Sequence, residues 1–178
     1  MNIFYLSHHP GQCARWHCDK HVVKMILEYT QILYTVFYLI NSREQLIYSP
    51  WNKNTQRHGY LPVHNKKHPS VLWAAESLPH YVWLTSLARH LVKEYHYRYQ
   101  PKRPHACEEH IQWLSTNLPY GLLLSYKLLW VRPPPPAMPD EYKVENNSIQ
   151  SYINYYNGSK ADRGLLVYSR RSKPHILL

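Results

Sequence analysis

The residues of this chain best suited to chemistry lie between positions 17 and 28, where His17, Lys20, His21, Lys24 and Glu28 recur at steps of three and four. At about 100° per residue these side chains, with Gln31, line one helical stripe about 100° wide. Val22, Met25, Ile26, Tyr29, Ile32, Leu33, Val36 and Ile40 line the opposite face. One helix thus carries a core face and a face of titratable groups. Opposite charges at i, i+4 stabilise a helix and like charges do the reverse, so Lys20 and Lys24 repel while Lys24 and Glu28 attract. The stripe fits two descriptions: the solvated face of an amphipathic helix, or an electropositive site that receives an anion.

Several chemistries are open to these groups. Two lysines that repel favour a neutral amine, able to attack a carbon such as C1′ of a deoxyribose. Glu28, one turn further on, suits a general acid or base, or a stabiliser of oxocarbenium charge, with His17 and His21 flanking. The same two ammonium groups suit plain phosphate binding equally well. A metal site is the next candidate, because Cys13, His17, Cys18 and His21 have C-x3-H and C-x2-H spacings. Cys18, however, lies about 100° from His17 towards the core, so the four cannot converge on one unbroken helix. His105, Cys107 and His110 form a weaker second cluster, and no metal is expected. Cys13, on the polar stripe, is the only cysteine placed to be a nucleophile, and a structural role is the simpler reading.

These side chains need elements to hold them. After a short extended start, Pro10 suits a first helical turn, and helical periodicity then runs to about Leu39-Ile40, a first helix of about thirty residues. Residues 41–68 read as a long basic loop with one short helical turn around Arg43–Leu46. A second helical region opens at His68-Pro69-Ser70, and Pro79 must kink or split it into a short helix and a longer one ending near Tyr99. His68 there is placed either to bind a phosphate with the helix N-terminus or to cap it. A third helix is expected over 106–117. From Leu118 the chain is Leu-rich and Pro-rich, with Pro133–Pro136 favouring polyproline II. A short helix from about Ser148 to Tyr156 and an irregular basic end follow. No strand alternation, repeat or glycine-rich phosphate loop is evident. The expected fold is all-α: one compact domain, core about 1–157 and basic tail about 158–178, with a long N-terminal helix packed against a Pro-kinked second helical region.

A formal charge of +10 over 178 residues points to polyanionic partners, nucleic acid first. Lys66, Lys67, Arg163, Arg170, Arg171 and Lys173 would supply nonspecific phosphate attraction, with His17 beside them. Seventeen tyrosines and six tryptophans can fill a core, and beside cations they can also stack on bases. The longest apolar candidate, Ile32–Ile40, is interrupted by Tyr34, Thr35 and Tyr38, so neither a membrane span nor a membrane partner is expected. The first residues lack the pattern of a signal peptide. Three cysteines at no disulfide-framework spacing fit a reducing compartment, and the expected location is the cytoplasm, that of a host if the protein is viral.

Three segments together carry a resemblance: Asp19-Lys20-x3-Lys24-x3-Glu28, His68-Pro69-Ser70-Val71-Leu72-Trp73, and Glu94-Tyr95-His96-Tyr97-Arg98-Tyr99. Over about residues 1–100 the chain resembles the pyrimidine-dimer DNA glycosylases of the phage endonuclease V type. Tyr152–Gly158 is similar to their aromatic C-terminal segment. The resemblance implies a compact all-α fold, no cofactor, a bent DNA duplex and a flipped nucleotide, with glycosidic cleavage through an amine-linked imine and then strand scission. In that family the nucleophile is the free amine of an N-terminal threonine, aided by a glutamate on the first helix. Here Met1 is followed by Asn2, whose bulk disfavours methionine removal, and the acid is Glu28, about one turn later than the family's glutamate, which falls near Val23. The expectation is therefore a monomeric base-excision enzyme acting on double-stranded DNA. Glu28 would be the acid/base or cation stabiliser, Lys24 or Lys20 the amine or phosphate clamp, and His21 and His68 accessory groups. The alternatives are a non-catalytic nucleic-acid-binding module and a metal-dependent hydrolase.

Overall fold

In the computed structural model, which describes residues 1–124 and 130–177, the first helix begins at Pro10 but stops at Trp16. The chain is extended at His17 and Cys18 and restarts as a second helix at Asp19, so the expected single helix is two: α1 (Pro10–Trp16) and α2 (Asp19–Leu39). The cause lies on a later helix. Nη2 of Arg98 donates to the Arg15 carbonyl at 2.9 Å, and Nη1 donates to the His17 carbonyl at 2.8 Å and to the Asp19 carboxylate at 3.0 Å. Carbonyls orphaned by the end of α1 thus find donors. Asp19, as the first residue of α2, also complements the positive end of that helix.

Beyond α2 come a 3₁₀ turn (Arg43–Tyr48) and a two-residue antiparallel hairpin of β1 (Trp51–Asn52) and β2 (Arg57–His58), Trp51 facing His58. This small sheet lies in the segment read as loop. The other helices are α3 (Pro69–Glu76), α4 (Leu78–Tyr99), α5 (Glu108–Thr116), α6 (Tyr120–Leu123) and α7 (Ser148–Tyr155). A π-helical turn (Tyr156–Lys160) continues α7. Residues 125–129, within the irregular stretch expected after Leu118, lie outside the described residues. The second helical region splits as expected, at Ser77. Pro79 sits in the first turn of α4, where a missing donor is harmless, and the Ser77 hydroxyl accepts the His80 N–H.

The architecture is all-α around one core. The extended start is part of that core, with Ile3, Phe4, Tyr5 and Leu6 buried against α2 and α4 residues such as Met25, Tyr29 and Leu84. Tyr29, Tyr34, Tyr81, Tyr152 and Tyr156 are buried as well, and their hydroxyls are hydrogen-bonded, as buried tyrosines require. The end of the chain is irregular, as expected, yet docked: Leu177 is in the core, the Asp19 N–H donates to the Val167 carbonyl, and Tyr168 donates to the Trp16 carbonyl. Among the described residues no helix is long and apolar enough to cross a membrane.

Candidate functional site

The break at residues 17–18 redistributes the titratable stripe. His17 is fully buried, so it cannot meet a phosphate. Its Nδ1 donates to the Cys13 carbonyl at 2.7 Å, which leaves Nε2 to accept the Tyr29 hydroxyl at 3.3 Å, while Tyr29 in turn accepts the Phe4 N–H. Burial holds the His17 pKa down at about 4, so the ring is neutral. His21 is buried too, stacked on Phe4 with ring centroids 4.0 Å apart and hydrogen-bonded through Nδ1 to Tyr156 at 2.7 Å. Burial lowers its pKa to about 2, and the charges of Lys160, Lys24 and Lys20 act in the same sense. Both histidines are structural: the extended start covers His17 in the break, and that start with the π-turn after α7 covers His21 on the flank of α2.

The rest of the stripe remains outside. Lys20 and Lys24 are exposed, and Lys24 Nζ lies 3.1 Å from the Glu28 carboxylate, whose side chain is only 15% exposed. His68 meets them from α3. As the N-cap of that helix its Nδ1 accepts the Ser70 N–H at 3.2 Å. A ring that accepts at Nδ1 carries its proton on Nε2, so His68 has an N–H donor there. Its pKa is lowered by burial and by the amine charge at Met1, and raised by Glu28. Residues 1, 24, 28 and 68 therefore share one electrostatic neighbourhood. Next to His68, Ser70 Oγ is buried with no hydrogen-bond partner among the described residues.

Local structure explains the convergence. The start is pinned where the Asn2 amide donates to the Ala137 carbonyl at 2.9 Å and the Tyr152 hydroxyl donates to Asn2. The segment from 59 to 68 runs back along α2. Gly59, at φ +68°, sits on the Tyr34 ring, and the Val63 N–H donates to Thr35 Oγ1 at 3.0 Å. That path delivers Lys66, Lys67 and then His68 towards Glu28, with both lysines exposed.

The tail cations fare differently. Arg171 donates twice to Glu94, at 2.7 and 3.1 Å, and lies over the Tyr97 ring at 4.0 Å. Its role is to dock the tail, not to bind phosphate. Arg170 is exposed and directed to the Tyr97 carbonyl, while Arg163 and Lys173 are exposed. The three cysteines are free and buried, and Cys13, whose thiol donates to the Phe4 carbonyl, has its pKa pushed up to about 12 by burial. That is the opposite of what a nucleophile needs. Among the described residues no three of His, Cys, Asp and Glu are arranged to hold a metal ion.

Lys160, on the π-turn, escaped the sequence reading. It is only 6% exposed, lies 4.1 Å over the Tyr155 ring and donates to the Tyr155 hydroxyl at 3.0 Å. It follows Gly158 in a stretch read as tail, where no periodicity marks it. No protein-family model matches the chain, and no curated protein or solved structure matches it.

Proposed function

We propose that this protein is a DNA base-excision enzyme, a DNA glycosylase with lyase activity, whose reacting groups are Glu28 and an amine beside it. The observation that carries the reading is the half-buried Glu28 carboxylate, held 3.1 Å from Lys24 Nζ in the neighbourhood of His68. In the proposed reaction Glu28 takes a proton from the ammonium of Lys24. The freed amine bonds to C1′ of a flipped nucleotide as the glycosidic bond breaks and the base departs with the bonding electrons. Glu28 passes that proton to the departing base, and the carboxylate so restored suits the positive charge that develops on the sugar. The bound amine then loses a proton and the C1′–O4′ bond opens with O4′ taking a proton, which gives a protonated imine; removal of the C2′ proton sends its electrons into that imine and expels the 3′ phosphate. Nε2–H of His68 suits a phosphate oxygen. Lys20 and the exposed Lys66 and Lys67 add attraction without sequence preference. The three free thiols suit a reducing compartment such as the cytoplasm.

One observation favours the second reading, a non-catalytic nucleic-acid-binding module: Lys24 is 62% exposed, an open setting that suits a phosphate clamp. Borohydride separates the two. With UV-irradiated and abasic duplexes it should trap a covalent adduct that maps to Lys24 or to the Met1 amine, and Glu28→Gln should reduce turnover at least about 100-fold with little change in DNA affinity. Failure to trap on every duplex, with binding that weakens steeply in salt, would establish the module instead.

A further inference from the structure

Residues 41–75 carry five cations, Arg43, Lys53, Arg57, Lys66 and Lys67, against one carboxylate, Glu44. All five cations are exposed, and among the described residues none forms an ion pair with a carboxylate. The tail is the opposite case, since Arg171 is tied to Glu94. Within this basic stretch the structure also exposes large aromatic surface. Tyr48 is 76% exposed and Trp51 50% exposed, and the Trp51 ring stands on the edge of His58 with centroids 5.3 Å apart. Arg43, over the Tyr38 ring at 5.4 Å, and Arg57 border a shallow recess of about 330 Å³ at the foot of Trp51. Aromatic faces set among unpaired cations are the arrangement that holds unstacked bases and their phosphates, because rings stack on any base and the cations follow the backbone.

We infer that the hairpin Trp51–His58, with Tyr48, is a second nucleic-acid contact, a platform on which unpaired bases of a strand stack while Arg43, Lys53 and Arg57 hold its phosphates. The inference rests on the nucleic-acid reading of the Glu28 site and does not require its catalysis. The path of the chain joins the two places. Gly59, just after β2, lies against Tyr34 of α2, and the segment from there to His68 runs down α2 towards Glu28. From Tyr38 to Glu28 is ten residues of helix, about 15 Å, or about four to five nucleotides of a stacked strand. The exposed Lys66 and Lys67 lie on that path.

The test is fluorescence anisotropy with labelled single-stranded oligonucleotides and with abasic duplexes carrying an unpaired flank. Trp51→Ala and Tyr48→Ala should each weaken single-strand binding about 5- to 100-fold, and Trp51→Phe should restore most of the loss. The effect should appear with flanks longer than about five nucleotides and vanish when the flank is cut shorter. Because both rings are largely exposed, the variants should keep the wild-type Tm. Unchanged affinity, within about twofold, in folded variants would overturn the inference and leave the aromatic patch to a protein partner. If borohydride trapping fails while Trp51→Ala still weakens binding, the glycosylase reading falls and the platform stands. If trapping persists and Trp51→Ala changes nothing, the platform alone falls.

Discussion

His17 and His21 should make the protein lose stability on mild acidification. Folded, their pKa values are held at about 4 and about 2 by burial; unfolded, each returns to about 6.5. Below about pH 6.5 the unfolded chain therefore binds two protons that the folded chain refuses, and stability falls as pH falls until the folded pKa is reached. Each group contributes about 1.36 kcal/mol per pH unit, so moving from about pH 6.5 to pH 5 removes about 2 kcal/mol per histidine and about 4 kcal/mol for the pair. For a chain of this size that lowers Tm by about 8–16 °C. Buried His80 and His110 are also pushed down by burial and steepen the slope in the same sense. The decisive comparison is therefore between the wild type and His21→Phe. Urea titrations at several pH values should show the variant taking up about one proton fewer on unfolding, whatever its absolute stability. Equal slopes for the two proteins, or a Tm that moves by less than about 3 °C over that range, would refute the assignment of these rings as buried and neutral.

Two further substitutions probe the frame of the site. Arg98→Ala takes from Asp19 its ion-pair partner and from Glu94 one of two, leaving Arg171, in carboxylates only 13% and 7% exposed, and it also frees the Arg15 and His17 carbonyls, so it should cost about 3–5 kcal/mol in guanidinium unfolding. Arg98→Lys should not restore that loss, because an ammonium cannot span the four acceptors the guanidinium fork serves. Gly59→Ala puts a Cβ 2.6 Å from Tyr34 at a backbone φ of +68° and should cost about 1–3 kcal/mol in the same assay, whereas a loss below about 0.5 kcal/mol would show that this turn is free to relax.

What was legible in the sequence was local. The apolar period of α2 and α4, the prolines at the starts of α1, α3 and α4, and the short helix at Ser148 all act through neighbouring residues, and each element stands where they place it. The break at 17–18 was not legible, since Arg98, which completes it, is about eighty positions away. The misreading of His17 follows from that, and the misreading of His21 from two distant segments that cover it. On one unbroken helix they share a face with the lysines; in the folded chain Phe4 and Tyr156, from opposite ends, close over them. The hairpin at Trp51 is too short for alternation to mark. Lys24, Glu28 and His68 could be named as candidates because helical spacing and a proline-led helix start are local signals, whereas the Met1 amine comes near His68 through contacts of Asn2 with Tyr152 and Ala137 that no spacing rule contains.

The docked ends set the order in which this molecule can be completed. Asn2 meets Tyr152 and Asp19 meets Ser169, each across 150 positions of chain, and Glu94 receives Arg171 across 77. Helical proteins fold fast when their contacts are local, and these are not. During synthesis the first helix pair emerges with its break uncapped until Arg98 of α4 has followed, and with His21 uncovered until Tyr156 has followed. The first helix pair thus reaches its final form only once α4 and the π-turn after α7 have packed on it.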